Sequence, residues 1–451
     1  MTILWSADDL AIATGGAFPR DRFAASGVAI DSRSLTPGDL FVALQDTRDG
    51  HDFVPDALRQ GAAGALVSQD AGAGPALLVE DTEDALSRLG AFGRARSAAR
   101  VAAVTGSVGK STTKEMLRRI FMGFGATHAA EASFNNHIGV PLTLARLPAD
   151  AAYAVVEIGM NHPGEIAPLA AIARPHVAII TSIAASHIGL MGSIEAIADE
   201  KAEVLRGLLP GGTAVLPRGP HLARLARRAP DGATIISFGT QDLAEARLID
   251  ADSDAGGVSV TANILNRIVR LRLAAPGTHM AMNAVAALAA AVALGLDAEA
   301  AAAALDGFAP LPGRGAQRSL RIGGGTITLL DESYNASGAS IRAALDVLAL
   351  HPGRHIVVLG DMLELGDYAD DEHRDLAAPV AAVADLVFAC GEKMRLLADD
   401  LPPACASHWA PTAADLAPLV RDALRDGDVV LVKGSLGSRM RTIITLLEDA
   451  A

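Results

Sequence analysis

One run of eight residues, Thr105-Gly-Ser-Val-Gly-Lys-Ser-Thr112, holds the groups that grip a phosphate. Its two glycines let the backbone turn so tightly that successive N–H groups can point at phosphate oxygens. Lys110 adds a full positive charge for the β- and γ-phosphates, and the Ser111 hydroxyl suits Mg²⁺. The run follows an apolar stretch, Val101–Thr105, and opens a helical one from Ser111 to Phe124, so a helix N-terminus adds its partial charge at the same point. Thr105, Gly106, Ser107, Val108, Gly109, Lys110, Ser111 and Thr112 are therefore expected around ATP. The run departs from the general G-x-x-x-x-G-K-[ST] pattern at its first position, where Val104 stands in place of glycine.

A nucleotide phosphate also needs a metal, and a metal needs carboxylates at neighbouring strand ends. Glu157 closes the apolar run YAVVE, and His187 follows the run VAIITSI. Either residue alone has an ordinary reading, as a solvated strand-end acid or a packed histidine. Beside the phosphate run they become candidate metal ligands together with Ser111.

The elements that must position these groups alternate. Apolar strand candidates at Tyr153–Ile158, Val177–Ser182, Gly212–Leu216 and Thr234–Phe238 are separated by helical stretches, including Gly164–Ala173 and Ser193–Leu209. Such alternation implies a parallel sheet covered on both faces. Between Arg247 and Leu273 the pattern becomes strictly alternating, as in an antiparallel hairpin. The alanine-rich stretch Ala281–Leu296 reads as a buried helix, too short to span a membrane comfortably and interrupted by Asn283. The segment Pro310-Leu-Pro-Gly-Arg-Gly315 then reads as a linker. A second α/β alternation follows, with strands at Thr326–Asp331, His355–Gly360, Ala384–Cys390 and Asp428–Lys433. The expectation is an α/β chain of three domains, 1–98, 99–313 and 314–451.

Composition bounds the function. A chain of 451 residues, half of them apolar, exceeds one hydrophobic core and is folded rather than disordered. Its net charge of −14 argues against general nucleic-acid or anionic-membrane binding, while leaving room for an anionic substrate at a locally basic site. Cys390 and Cys405 have no metal-ligand spacing, so neither a disulfide framework nor structural zinc is expected. Met1–Leu10 has no signal-peptide pattern, so a soluble cytoplasmic protein is expected.

TGSVGKSTTKE (105–115) resembles the phosphate loop of the Mur ligase family, which also lacks the first glycine. ASFNNHIGVPLTL (132–144), VVEIGMNHPGEI (155–166), SHIGLMGSIEAIADEKAEV (186–204) and LGDMLELG (359–366) resemble further family segments, in order along the whole chain. The resemblance implies a substrate domain, a central ATPase domain and a Rossmann-like C-terminal domain. At the front, Asp31-Ser-Arg33 resembles part of the family's uridine-nucleotide site, although these residues alone read as a polar turn. The same resemblance puts Asn135 and Asn136 near the substrate, Asn283 on adenine, Arg314 on nucleotide phosphate or ribose, and Asp331 on ribose. The segment Asp-Glu-Ser-Tyr-Asn-Ala336 carries one residue more than the family's D-x-Y-N-A pattern and lacks its proline. Met280 stands where relatives commonly have asparagine. Lys201 occupies the place of a family lysine that CO₂ can carbamylate into a metal-binding carboxylate, and without the resemblance it is a helix lysine among acids. Lys433 and Arg439 fit the substrate's terminal carboxylates.

The resemblance further implies the reaction. ATP phosphorylates the terminal carboxylate of a UDP-N-acetylmuramoyl-tripeptide, and the amine of D-alanyl-D-alanine attacks the acyl phosphate, with Mg²⁺, of which two are expected. Lys110, Glu157, His187 and Lys201 are the implied catalytic residues, and a monomer is expected. A sibling ligase, folylpolyglutamate synthase, a nucleotide switch, a small-molecule kinase or an inactive nucleotide-binding module would carry the same phosphate loop.

Overall fold

The computed structural model describes residues 2–69, 72, 74–130, 133–322 and 324–450, which leaves Ala132 of the ASFNNHIGVPLTL segment outside the described residues. Three sheets follow one another along the chain. The first holds β1 (Gly27–Ala29), β2 (Asp39–Val42), β3 (Gly64–Val67) and β4 (Ala76–Leu78), all parallel and in sequence order. Helix Thr82–Arg96 follows, capped by the Asp81 carboxylate on the Glu83 and Asp84 amides. Its Gly90 and Gly93 allow it to lie on helix Gly139–Ala145, because a Cβ at Gly90 would sit 2.6 Å from the Pro141 carbonyl oxygen.

The central sheet has nine strands. These are β5 (Arg100–Thr105), β6 (Thr127–Ala129), β7 (Tyr153–Glu157), β8 (Val177–Ile180), β9 (Thr213–Pro217), β10 (Thr234–Gly239), β11 (Ala246–Asp254), β12 (Gly257–Ile264) and β13 (Arg267–Leu273). Their order is β13-β12-β11-β10-β9-β8-β5-β7-β6. The chain therefore leaves β5 first to one side and later to the other, and an open α/β sheet binds ligands at the carboxyl end of such a switch point. The phosphate run leaves that end of β5. The expected hairpin over 247–273 is instead a three-stranded meander, with β11 parallel to β10 and antiparallel to β12. Its first strand was hidden because ARLIDADSD carries three aspartates and its burial alternates only at the start.

The alanine-rich stretch forms helix Thr278–Ala293, wedged between helix Lys110–Met122 and strands β8 to β12. Alanine side chains lose little entropy on burial and let backbones approach closely, so a largely buried helix suits them. The third sheet has the order β14-β15-β19-β16-β17-β18, from β14 (Ala316–Ile322), β15 (Gly325–Glu332), β16 (His355–Gly360), β17 (Leu386–Cys390), β18 (Ala406–Ala410) and β19 (Val429–Lys433). Only β14 runs antiparallel to its neighbour.

Candidate nucleotide and metal site

The phosphate run bridges β5 and helix Lys110–Met122 with Gly106 at φ 147° and Gly109 at φ 89°, backbone conformations that glycine adopts without strain. Neither glycine has room for a side chain, since a Cβ at Gly109 would lie 2.5 Å from Asn283 Oδ1 and one at Gly106 would overlap the Thr181 hydroxyl. Asn283 is thus placed directly against the loop. The loop's shape is fixed from the segment after β8. Ser107 N–H donates to the Ser182 carbonyl at 2.9 Å, and Val108 N–H donates to Ser182 Oγ at 2.9 Å. Ser107 Oγ donates to Ala184 O and accepts from Ala184 N–H, both at 2.9 Å, while Thr181 Oγ1 donates to Val108 O at 2.6 Å. Two loop amides expected to face phosphate are therefore spent on folding the loop. The amides at the helix start, which have no intrahelical acceptor, are the ones left for an anion.

Lys110 lies back on this loop, its Nζ donating to Gly106 O at 2.8 Å and to Ser107 O at 3.4 Å. Burial pushes its ammonium below the ordinary lysine range, an effect Glu157 opposes and Arg314 reinforces. Ser111 Oγ donates to Glu157 Oε2 at 2.7 Å, and Asn135 Nδ2 donates to Glu157 Oε1 at 2.8 Å. Glu157 is 1% exposed and has no ion-pair partner among the described residues. Beyond those two hydrogen bonds only the charge of nearby Lys110 offsets its burial, and a buried carboxylate is costly unless cations join it. Arg314 donates to Ser133 Oγ at 2.6 Å and lies 3.8 Å above the Tyr334 ring, and with Ser111, Thr112, Phe308 and Pro310 it lines a shallow cleft at the helix start.

Lys201, on helix Ile194–Ala202, is 1% exposed and has no hydrogen-bond or ion-pair partner among the described residues. The neighbouring Glu200 carboxylate is turned away to cap another helix, accepting from Gly164 N–H at 2.8 Å and Ile166 N–H at 2.9 Å. Burial holds the Lys201 amine well below its usual pKa, and the charge of nearby Lys110 lowers it further against a weaker pull from Glu200. His187 stands at φ 60° before the short helix Ile188–Met191, with Nδ1 2.5 Å from Glu364 Oε2 of the third unit.

Other expected site residues have close partners of their own. Asp331 is fully buried, and its carboxylate accepts from Ser333 Oγ at 2.7 Å and pairs with Arg318 and Arg441. The adjacent Glu332 instead meets Lys433 Nζ at 3.2 Å, while Lys433 also donates to Asn335 O at 3.0 Å. Asp331 and Glu332, adjacent on β15, thus point to opposite faces of the sheet. Asn136 caps helix Gly139–Ala145 by accepting from Gly139 N–H at 2.9 Å. Asp31 and Arg33 close on each other at 2.6 Å, which lowers the Asp31 carboxyl to about 2, and Ser32 lies between them in a short 3-10 turn. Arg439 is an exposed cation at φ 56°.

Comparison with known proteins accords with this geometry. Family models match residues 24–90 (Mur ligase family, catalytic domain), 104–291 (Mur ligase middle domain) and 317–436 (Mur ligase, glutamate ligase domain). Similar curated proteins include the UDP-N-acetylmuramoyl-tripeptide–D-alanyl-D-alanine ligases of Synechocystis, 36% identical over 94% of this chain and 92% of that one, and of Escherichia coli, 34% identical over 94% and 93%. The chain belongs to the Mur ligase family. A crystal structure of MurF from Acinetobacter baumannii superposes with a TM-score of 0.87 at 31% identity, covering 99% of each chain. One of MurF from Thermotoga maritima in complex with ADP does so at 0.80 and 25%, covering 94% of this chain and 97% of that one.

For a Mur ligase the donor set around Glu157 fits Mg²⁺, a hard cation that takes oxygen ligands and is commonly held by one or two carboxylates together with substrate phosphates. Among the described residues no three His, Cys, Asp or Glu side chains are grouped so as to hold a metal ion by themselves. Among them, too, no helix is long and apolar enough to cross a membrane. Ser133, Ser182, Glu200 and Glu364 were not legible as site residues. The polar run Thr181-Ser182 directly after an apolar strand was the one available signal for the loop's lacing.

Proposed function

We propose that this Mur ligase joins D-alanyl-D-alanine to the terminal carboxylate of UDP-N-acetylmuramoyl-tripeptide at the expense of ATP, giving the pentapeptide precursor of peptidoglycan, ADP and phosphate. The observation that carries this reading is likeness over nearly the whole chain to ligases named for that reaction.

A carboxylate resists amide formation because its anion offers no leaving group. Transfer of the γ-phosphoryl group makes an acyl phosphate, and attack by the dipeptide's amine then expels phosphate. Lys110 would leave the loop carbonyls for the phosphate oxygens, where its charge meets the negative charge spread over the transferring group. Arg314, already beside Ser111 and Thr112, would hold nucleotide phosphate or ribose, with Asn283 toward adenine. Glu157, Ser111, His187 and a carbamylated Lys201 would hold Mg²⁺, which supplies charge neutralisation and orients the phosphates. Carbamylation requires a neutral amine, whose nitrogen attacks CO₂ and releases a proton, and burial of Lys201 favours that form over the ammonium. The resulting anion would lie within reach of the Lys110 charge that now opposes a second cation.

We assign residues 1–98 to the UDP-sugar, with Asp31, Ser32 and Arg33 meeting the uridine nucleotide. Residues 99–313 go to ATP, with Asn135 steadying Glu157, and residues 314–451 to closure over the acceptor. Lys433 and Arg439 there are the cations offered to carboxylates. Asp331 enters no ligand contact in this reading, because its partners are internal. The enzyme would act as a cytoplasmic monomer. An amide-formation assay tests the whole reading, offering D-alanyl-D-alanine against single amino acids, with and without the UDP-tripeptide. Phosphate release that needs both the tripeptide and the D-alanyl dipeptide is expected. Equal turnover with a single amino acid would sink the assignment.

A further inference from the structure

The third unit touches the central one at a point of unusual closeness. The Gly189 amide donates to Glu364 O at 3.2 Å, and the Tyr368 hydroxyl donates to Gly192 O at 3.3 Å. A Cβ on Gly366 would stand 2.7 Å from Gly189 Cα, so the two backbones can meet only as glycines. Three residues here adopt left-handed backbone, His187 at φ 60°, Glu364 at φ 65° and Gly366 at φ 55°. A non-glycine residue held there costs energy and persists only where its surroundings demand it. Glu364 is delivered by a loop fixed within its own unit. Leu363 N–H donates to Ser435 Oγ at 3.0 Å, and Met362 N–H donates to His373 Nε2 at 3.0 Å.

The Glu364 carboxylate ends 2.5 Å from His187 Nδ1, a contact in which the ring N–H is not aligned on the carboxylate. A metal-bound imidazole uses one ring nitrogen for the metal and commonly donates the other N–H to a carboxylate, which fixes tautomer and ring orientation. With Nδ1 turned to Glu364, Nε2 is the nitrogen left for a metal. Three residues before His187, Ala184 is bonded to Ser107 of the phosphate loop through two hydrogen bonds. The contact therefore joins the third unit to the phosphate loop through one short segment.

We propose that Glu364 is a positioning residue of the ligase reaction, which orients His187 for the metal and does so only while the third unit is docked. This rests on His187 being a metal ligand, as the functional reading above has it. Docking of the third unit then completes the metal site, so metal affinity and closure are one equilibrium.

The test uses the full chain with ADP and Mn²⁺, following free Mn²⁺ by electron paramagnetic resonance. Glu364→Ala should weaken Mn²⁺ binding about 10- to 100-fold, the usual loss for such a supporting group, while Glu364→Gln, which can still accept the ring N–H, should lose less. Gly366→Ala, which keeps the carboxylate but blocks the close approach, should reproduce the Glu364→Ala loss. In a His187→Ala background, Glu364→Ala should cause no further loss, because residues acting through one another are not additive. Unchanged Mn²⁺ affinity in folded Glu364→Ala and Gly366→Ala proteins would overturn the inference. So would an equal further loss in the His187→Ala background. A parent that ligates D-alanyl-D-alanine alongside insensitive variants refutes this inference alone, whereas a parent that does not ligate refutes the functional reading.

Discussion

Lys201 is a buried lysine whose protonated form has neither a counter-ion nor a hydrogen-bond acceptor among the described residues. A side chain that destabilises the fold is retained for what it does to a ligand. Lys201→Met keeps the volume and removes the amine, so it should raise the melting temperature while lowering ligation by about 100-fold or more. The direction of the pH effect follows from its pKa, which is lowered on folding. Between its lowered folded value and about pH 10.4 the unfolded chain holds a proton that the folded one gives up, so stability should rise with pH across that range. In CO₂-free buffer, denaturation midpoints from pH 7 to 10 should show a shallower rise for Lys201→Met. A variant that is neither more stable nor less active would leave Lys201 an ordinary helix lysine. Lys110→Ala should be well folded yet slower by roughly 10²- to 10⁴-fold, since its charge serves the transferring phosphate. Comparable rates in a folded protein would remove the phosphate loop from the mechanism. The phosphate run stands out in the sequence because phosphate chemistry calls for particular residue types at short spacing, whereas Glu157, 46 positions from Ser111, stands out only by closing an apolar strand. Asp331 was less legible, because the face of β15 it occupies depends on register, and a one-residue insertion exchanges the two faces.

At the scale of elements, the sequence showed strands that are apolar throughout, and β5, β7, β8 and β16 stand close to where the apolar runs lie. It did not show β6, β14 or β18, which are edge strands with polar or half-exposed residues and so carry no apolar run. Nor could it show how the loops are tied, since a serine bonded to a distant backbone looks like any loop serine. Ser182→Ala makes that tie measurable. Losing the hydroxyl leaves the Val108 amide without its partner, which costs about 1–3 kcal/mol if no water replaces it. The loop should loosen, and the KM for ATP should rise about 10-fold with a smaller change in kcat. An unchanged KM would mean that the loop holds its shape alone. His373 ties the 361–366 loop in the same manner, as a neutral ring that donates from Nδ1 to Ala369 O at 2.6 Å and accepts Met362 N–H at Nε2. Burial lowers its pKa, against the Ala369 hydrogen bond and the charges of Asp361 and Asp370, with Lys393 adding slightly to the fall. As pH drops below about 6.5 the unfolded chain takes up the proton first, so stability present above that pH should be lost progressively on acidification. Urea midpoints at pH 7.5 and 5.5 should therefore fall for the parent and differ less for His373→Leu, which starts lower because it leaves Met362 N–H unpaired.

The three sheets do not divide the molecule into three equally independent bodies. The core around Trp5, Leu40, Leu66 and Leu86 also contains Leu142 and Ala145, from a helix encoded well beyond residue 98. Trp5 Nε1 donates to the Ala145 carbonyl at 2.9 Å, Arg146 Nε to Val28 O at 2.7 Å, and Arg94 Nε to Ala173 O at 2.9 Å. Gly93 lies so close to Leu144 that a methyl group would overlap its carbonyl oxygen. The third unit is built differently. One face of its sheet is covered by Leu416, Val420, Ile443 and Leu447 and the other by Ile341, Leu345, Val380 and Leu397, all from its own helices, although the second set belongs to one apolar cluster with Ile188 and Met191 of the central unit. A break in the sequence pattern marks where one sheet's strands end but not which helix completes its core. A chain cut at 98 should thus leave the first unit with an exposed apolar helix face and a buried indole N–H without its acceptor, and a small domain has little stability to absorb that. Residues 1–98 expressed alone should show secondary structure without a cooperative urea transition or fixed near-ultraviolet dichroism. Residues 314–451 should unfold in a single cooperative step. A sharp, two-state transition for 1–98 would show that the helix Gly139–Ala145 only rests on the first unit and does not complete it.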